Sequence, residues 1–309
     1  MAKVLTENLA TGTVITKAVY AHDGTLLLPP GTVLEAAHLK QLRESGINAV
    51  HVKNRTQSCQ SEQSCTKQAA LQTVKSVFRK LILKDMVEAG SVRTAVSDIL
   101  YRVVKDRNIM VHLTDVRALD NYVFTHSVNV CMLSLLIGFF MSLPGERLKE
   151  LGMAALLHDV GLNYIPQDLL YKKGELTPEE YETIKKHTTY GFERLTESRH
   201  IPAVAAQVAG QHHERVDGSG YPFGVGSTDI HLFARIVAVA DVFDALLADR
   251  PFRKAFFPHQ AVEIIAANSG QFDAGIVDVF INNVVIYPLG SVVRLNTGDI
   301  GVVVDMNKS

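Results

Sequence analysis

From about residue 69 to 282, apolar residues recur at the spacing of a helix face. Val74, Val77, Phe78, Leu81 and Ile82 form one such set, and Val92, Ala95, Val96, Ile99 and Leu100 another. Asp120 to Ser142 predicts a long apolar helix and Leu148 to Val160 a second, with further helices at about 200–213, 233–249 and 258–269. Thr177-Pro178-Glu179-Glu180 marks a helix start, with proline in the first turn and acids beside it. The fold expected for 69–282 is therefore mainly α, a helical bundle.

The two ends of the chain are patterned differently. Residues 1–54 read as a small α/β domain. Gly12 to Thr16 and Leu26 to Leu28 are its strands, with turn chemistry at His22-Asp23-Gly24 between them. Glu35 to Glu44 is a helix and Ala49 to Val52 a further strand. No cluster of catalytic residue types lies here, so a regulatory or partner-binding role is expected. Residues 55–68 are polar and aperiodic and read as a linker. Residues 283–309 suggest a short β appendage, with strands at Val284 to Tyr287, Gly290 to Leu295 and Gly301 to Asp305, and a turn at Asn296-Thr297-Gly298.

Composition narrows the picture. Hydrophobic residues make up 47% of 309, ample for a sizeable core, and the formal net charge of −1 argues against affinity for nucleic acid polymers. Met1-Ala2-Lys3-Val4 opens no signal peptide. The longest apolar run, Val128 to Leu143, contains Asn129 and stops at Pro144-Gly145, so it reads as a buried core helix and not a membrane span. Three cysteines, Cys59, Cys65 and Cys131, give no disulfide framework, which fits a cytoplasmic location.

The chemistry gathers around Gln211-His212-His213-Glu214-Arg215-Val216-Asp217-Gly218. Neighbouring helical residues point about 100° apart, so paired histidines serve one metal only where a helix frays, or serve two neighbouring centres. Alone, the pair also fits a plain helix end. Matching donors occur elsewhere: His126, His158, Asp159, His187 and Asp241. All are nitrogen or oxygen donors without sulfur, a set suited to iron, manganese, zinc or nickel. A lone histidine on an apolar face is more often a core residue, and the joint occurrence carries the argument. Asp241 amid Ala238-Val239-Ala240, and Asp159 after Ala154-Ala155-Leu156-Leu157, are costly to bury unless paired or metal-bound. Asp159, directly after a histidine, is placed to bridge two metals. Two metals about 3.5–4 Å apart form a clamp for in-line displacement at phosphorus.

These residues resemble a known family, the HD-GYP domain, a branch of the HD phosphohydrolases. The matching stretches are Tyr122-x-x-x-His126-Ser127-x-Asn129-Val130, Leu157-His158-Asp159-Val160-Gly161, Leu169-x-x-Lys172-x-Gly174-x-Leu176-Thr177, His187, His212-His213-Glu214-Arg215-x-Asp217-Gly218-x-Gly220-Tyr221-Pro222, and Ala234 through Leu246 with Arg250-Pro251-x-Arg253. Residues 1–54 also resemble the small domain often found before it. The resemblance implies a helical fold, a metal centre of two or three divalent ions, and hydrolysis of cyclic di-GMP to pGpG or GMP. His126, His158, Asp159, His187, His212, His213 and Asp241 would hold the metals, with Asp159 also catalytic. Asp244, one helical turn after Asp241, would orient the nucleophile or contact substrate. Arg250, Arg253 and Lys172 would bind phosphate or guanine. The Gly218–Pro222 loop would meet signalling proteins of the diguanylate-cyclase type, and a homodimer is a compatible assembly.

Two positions depart from the family pattern. The lysine usual after His-Asp-x-Gly is Leu162 here, which predicts slow turnover or a receptor that binds cyclic di-GMP without useful hydrolysis. The glutamate that accompanies a third metal is Tyr122, a poor ligand with a pKa of about 10, so two metals are expected.

Overall fold

A computed structural model of the chain describes residues 2–6, 11, 14–16, 18–20, 26–45, 47, 49–53, 72–80, 89–105, 122–172, 174–198, 200–248, 254–283, 292–295 and 297–304. The chain divides into two compact units, Met1–Cys65 and Thr66–Ser309.

In the first unit, β1 (Ala2–Leu5) runs antiparallel to β5 (Ala49–Lys53), and β2 (Val14–Ile15) lies on the other side of β5, giving the order β1-β5-β2. A separate pair joins β3 (Val19–Tyr20) to β4 (Leu26–Leu28). With helix α1 (Ala36–Glu44) these elements enclose a small core of Ile15, Val19, Leu28, Leu34, Leu42 and Val50. Leu26–Leu28 partners Val19–Tyr20, whereas Val14–Ile15 joins β5, because Ile15 must reach the buried face beside Val50. The 55–68 linker and the 284–287 strand lie outside the described residues.

The second unit is helical, as its periodicity requires. Residues 72–80 are helical, followed by α2 (Ala89–Lys105), α3 (Tyr122–Phe140) and α4 (Gly145–Leu157). Helix α3 is apolar on all sides and so belongs in the middle of the packing. It lies against α2, α4, α9 (Leu232–Leu247) and α11 (Ala274–Asn283). By length and composition Val123–Phe140 would suffice to cross a membrane, yet 72% of that stretch is buried inside the protein.

After α4 the chain tightens into a 3-10 helix (Val160–Tyr164), the short α5 (Gln167–Leu170) and α6 (Pro178–Lys185). Thr177 caps α6 in a full capping box with Glu180, with Pro178 in the first turn. Helices α7 (His187–Thr196), α8 (Ala203–Gln211) and α10 (Pro258–Ala267) complete the unit, and β6 (Val292–Arg294) pairs with β7 (Ile300–Val302) near its end. One continuous apolar core runs from Val74 through Phe280.

Candidate metal centre

The site forms where five helices bring their polar residues together inside this core. His126 lies in the second turn of α3, His158 caps the C-terminus of α4, and Asp159 follows in the turn. His187 is the first residue of α7, His212 caps α8 with His213 next, and Asp241 and Asp244 lie on α9. All are buried except the half-buried His213. Gly161 makes the arrangement possible: a Cβ there would stand 1.8 Å from the carbonyl oxygen of His187. The 3-10 helix therefore runs directly against the start of α7.

Backbone carbonyls set the imidazoles. His158 Nδ1 lies 2.8 Å from Ala155 O, His187 Nδ1 2.7 Å from Ile184 O, and His212 Nδ1 3.0 Å from Ala209 O. A carbonyl only accepts, so each Nδ1 carries a hydrogen and each ring turns its Nε2 inward. Those three Nε2 atoms surround Asp159. His158 Nε2 lies 3.3 Å from Oδ2, while His187 and His212 Nε2 lie 3.5 and 3.6 Å from Oδ1. His126 Nε2 is 3.7 Å from Oδ2, and His213 Nδ1 is 3.7 Å from Asp241 Oδ2.

Two groups of donors result: His126, His158 and Asp159, and His187, His212 and His213, each with its ligand atoms within 4.8 Å of one another. The donors fit divalent metal. His158 Nε2 is buried beside the Asp159 carboxylate, 3.3 Å from Oδ2, and among the described residues makes no regular hydrogen bond. His187 Nε2 and His212 Nε2 face each other at 3.3 Å, an approach of two nitrogens that a cation between them would accommodate.

Charge is arranged to match. Burial works against the Asp159 carboxylate, but His158, His212 and His187 around it hold its pKa well below the usual range. Asp241 is likewise held low, against burial, by His126 and His213. Burial pushes His187 down to about 4 and His213 well down, which keeps both rings neutral. Burial also weighs on His158, yet the charge of Asp159 beside it carries its pKa up.

Asp244 lies against His126 and Asn129. Its Oδ2 lies 2.7 Å from His126 Nδ1 and its Oδ1 accepts from Asn129 Nδ2 at 2.8 Å, so both oxygens are engaged inside the core. Asp244 thus stands behind the His126 ring, on the side away from Asp241. Lys172 Nζ lies 2.5 Å from Glu180 Oε2, tied to the N-terminus of α6. Leu162 is half-buried on the 3-10 helix. Arg250, Arg253 and the side chain of Tyr122 lie outside the described residues.

Three contributors were not foreseen. Asn129, the polar break in the apolar run, was visible as an anomaly without a partner. Glu214 is buried and accepts from Phe223 N at 2.7 Å and Val225 N at 3.2 Å, folding the glycine-rich loop back on itself. Tyr221 stacks on His213 with ring centroids 4.7 Å apart and 27° between planes.

A buried set of histidines and aspartates at the ends and faces of packed helices, centred on a His-Asp doublet, defines a helical metal-binding domain. Residues 114–276 match the family model described as HD domain, and the chain belongs to that family. It is 36% identical over 234 residues to "Cyclic di-GMP phosphodiesterase PA4108" of Pseudomonas aeruginosa, covering 76% of this chain and 56% of that protein. It is 37% identical over 210 residues to "Cyclic di-GMP phosphodiesterase" of Thermotoga maritima, covering 67% and 55%. The chain thus spans a little over half the length of these relatives. The solved structure of Bd1817, a HDG"Y"P protein from Bdellovibrio bacteriovorus, superposes with a TM-score of 0.61 at 18% identity over 90% of this chain and 97% of that one, a likeness of fold.

Proposed function

We propose that this chain is a cytoplasmic, metal-dependent phosphodiesterase that hydrolyses cyclic di-GMP to pGpG, GMP or both. The carrying observation is Asp159, whose two oxygens face nitrogens of both donor groups. The relatives named cyclic di-GMP phosphodiesterases supply the substrate class. His126, His158, His187, His212, His213, Asp159 and Asp241 would hold two divalent ions, with iron or manganese favoured over zinc or nickel. Bound there, such ions supply Lewis acidity toward a phosphodiester and lower the pKa of coordinated water.

The chain's own residues prepare the site. The Nδ1 hydrogen bonds fix the tautomers of His158, His187 and His212, and Asp244 supports His126 from behind. Arg250, Arg253 and Lys172 would hold the remaining phosphate and the guanines. The Lys172–Glu180 pair is about one-third exposed and can exchange for a phosphate. Residues 1–54 would regulate the 69–282 domain, with 55–68 as linker and 283–309 as appendage, and the Gly218–Pro222 loop would present a protein-binding surface.

Leu162 favours a second reading, a cyclic di-GMP receptor with little turnover. Both are tested on one anaerobically purified sample by metal analysis and a turnover assay. Close to two metals per chain with formation of pGpG or GMP supports the enzyme. Replacing Asp159 by Ala is expected to remove both metals and the activity. Tight cyclic di-GMP binding without product from fully loaded protein supports the receptor.

A further inference from the structure

Beside the metal donors lies a group of side chains with no part in holding metal. Tyr181 and Lys185 stand one turn apart on α6, and Tyr221 reaches toward them from the glycine-rich loop. Lys185 Nζ sits 4.8 Å from the centre of the Tyr181 ring and 5.4 Å from that of Tyr221. The two tyrosines meet edge to face at 6.5 Å. Tyr221 in turn stacks on His213 and meets His187 edge-on at 6.4 Å. An unbroken set of ring contacts therefore leads from the metal donors to Tyr181, whose residue is 46% exposed.

The placement of Tyr221 is firmly determined. Its N–H donates to His213 O at 3.2 Å, and Glu214 fixes the backbone just beyond it. A Cβ at Gly220 would come within 2.4 Å of the backbone at Glu214 and Arg215, so only glycine lets the loop press this close. Tyr181 thus rests on a rigid neighbour. The Lys185 ammonium also contacts Glu182 at 2.6 Å, but that carboxylate is mostly exposed and the pair is weak.

We propose that Tyr181, Lys185 and Tyr221 form a nucleotide subsite at the mouth of the metal centre. A purine base stacks on the open surface of Tyr181, and its phosphate meets the Lys185 ammonium. A flat aromatic face and a nearby ammonium are the two groups that sequence-tolerant nucleotide binding uses. The inference rests on the phosphodiesterase reading only for its choice of ligand.

Calorimetric titration of the Mn²⁺-loaded 309-residue chain with GMP, which has no diester to cleave, tests it without turnover. Replacing Tyr181 by Ala is expected to weaken GMP roughly tenfold, and Tyr181→Phe to restore binding to within about threefold. Ribose 5-phosphate, which has no base, should lose far less in Tyr181→Ala. Lys185→Met should weaken GMP and flatten the salt dependence of its binding. The subsite is refuted if Tyr181→Ala binds GMP as tightly as the wild type, or if it loses GMP and ribose 5-phosphate equally. Tyr181-dependent GMP binding in a protein that never cleaves cyclic di-GMP refutes the phosphodiesterase and keeps the subsite. Rapid cleavage with GMP binding indifferent to Tyr181 does the reverse.

Discussion

Asp241 and Asp244 show how much hangs on single residues. One turn apart on α9, they lie on opposite sides of one imidazole: Asp241 Oδ1 is 2.9 Å from His126 Nε2, and Asp244 Oδ2 is 2.7 Å from Nδ1. Spacing alone put both on the same face and left their division of labour open. Carboxylates behind metal-ligating histidines typically matter about 10–100-fold in metal affinity. Asp244→Asn is accordingly expected to weaken metal binding by that order in a competition titration, and an unchanged affinity would remove its orienting role. At Leu162 the missing charge predicts a different loss. One electrostatic contact to a transition state is commonly worth about 10²–10³ in rate. Leu162→Lys should raise the turnover of cyclic di-GMP more than its affinity; fast wild-type turnover with no response to the change would show that another cation serves. The clustered histidines and aspartates were legible because they interrupt apolar stretches. The roles of Glu214 and Tyr221 were not, because they depend on the path of a loop that no periodicity describes.

At the scale of elements, the long helices were legible and the short ones were not. Helices α3, α4 and α9 carry enough apolar residues to declare themselves. Helix α7 opens His187-Thr188-Thr189-Tyr190, a mixed stretch, and its place comes from packing against α8 and the 3-10 helix. Strand β1 is four residues, Ala2–Leu5, too few for alternation to show. The contact between the 3-10 helix and α7 has a direct test. A methyl at Gly161 would overlap His187 O, so Gly161→Ala must push the two elements apart. Overpacking typically costs about 1–3 kcal/mol, and here the shift also separates Asp159 from His187. Lower thermal stability together with loss of bound metal is expected. Gly145→Ala serves as the control: nothing lies within 4 Å of its added methyl, and the first turn of α4 should be neutral or slightly more stable. Equal behaviour of the two variants would mean that the close approach at Gly161 carries no weight.

For the whole molecule, gathering so many titratable groups inside one core couples folding to pH. His187 folds with a pKa of about 4, below the roughly 6.5 of an unfolded histidine. Between those values the unfolded chain binds more protons, so the metal-free protein loses stability as pH falls through that window. Complete titration of His187 corresponds to about 3 kcal/mol, and the depressed His213 adds in the same direction. His158, with its raised pKa, acts oppositely: it contributes stability below about pH 6.5 that is lost as pH rises through its folded value. Asp159 and Asp241, held low, contribute stability above about pH 4 and lose it only as pH falls through their folded values, so they leave the window to the histidines. His187, pushed down to about 4, and His213, well down, set the expected direction. Metal-free protein should therefore melt several degrees lower at about pH 5 than at about pH 7.5. The metal-loaded protein should drop further over the same range, because its ligands bind only when deprotonated and acid releases the ions that stabilise the fold. Thermal melts of both forms across this range decide the matter. A metal-free protein that melts at the same or a higher temperature near pH 5 would show that the histidines are not held neutral inside the core.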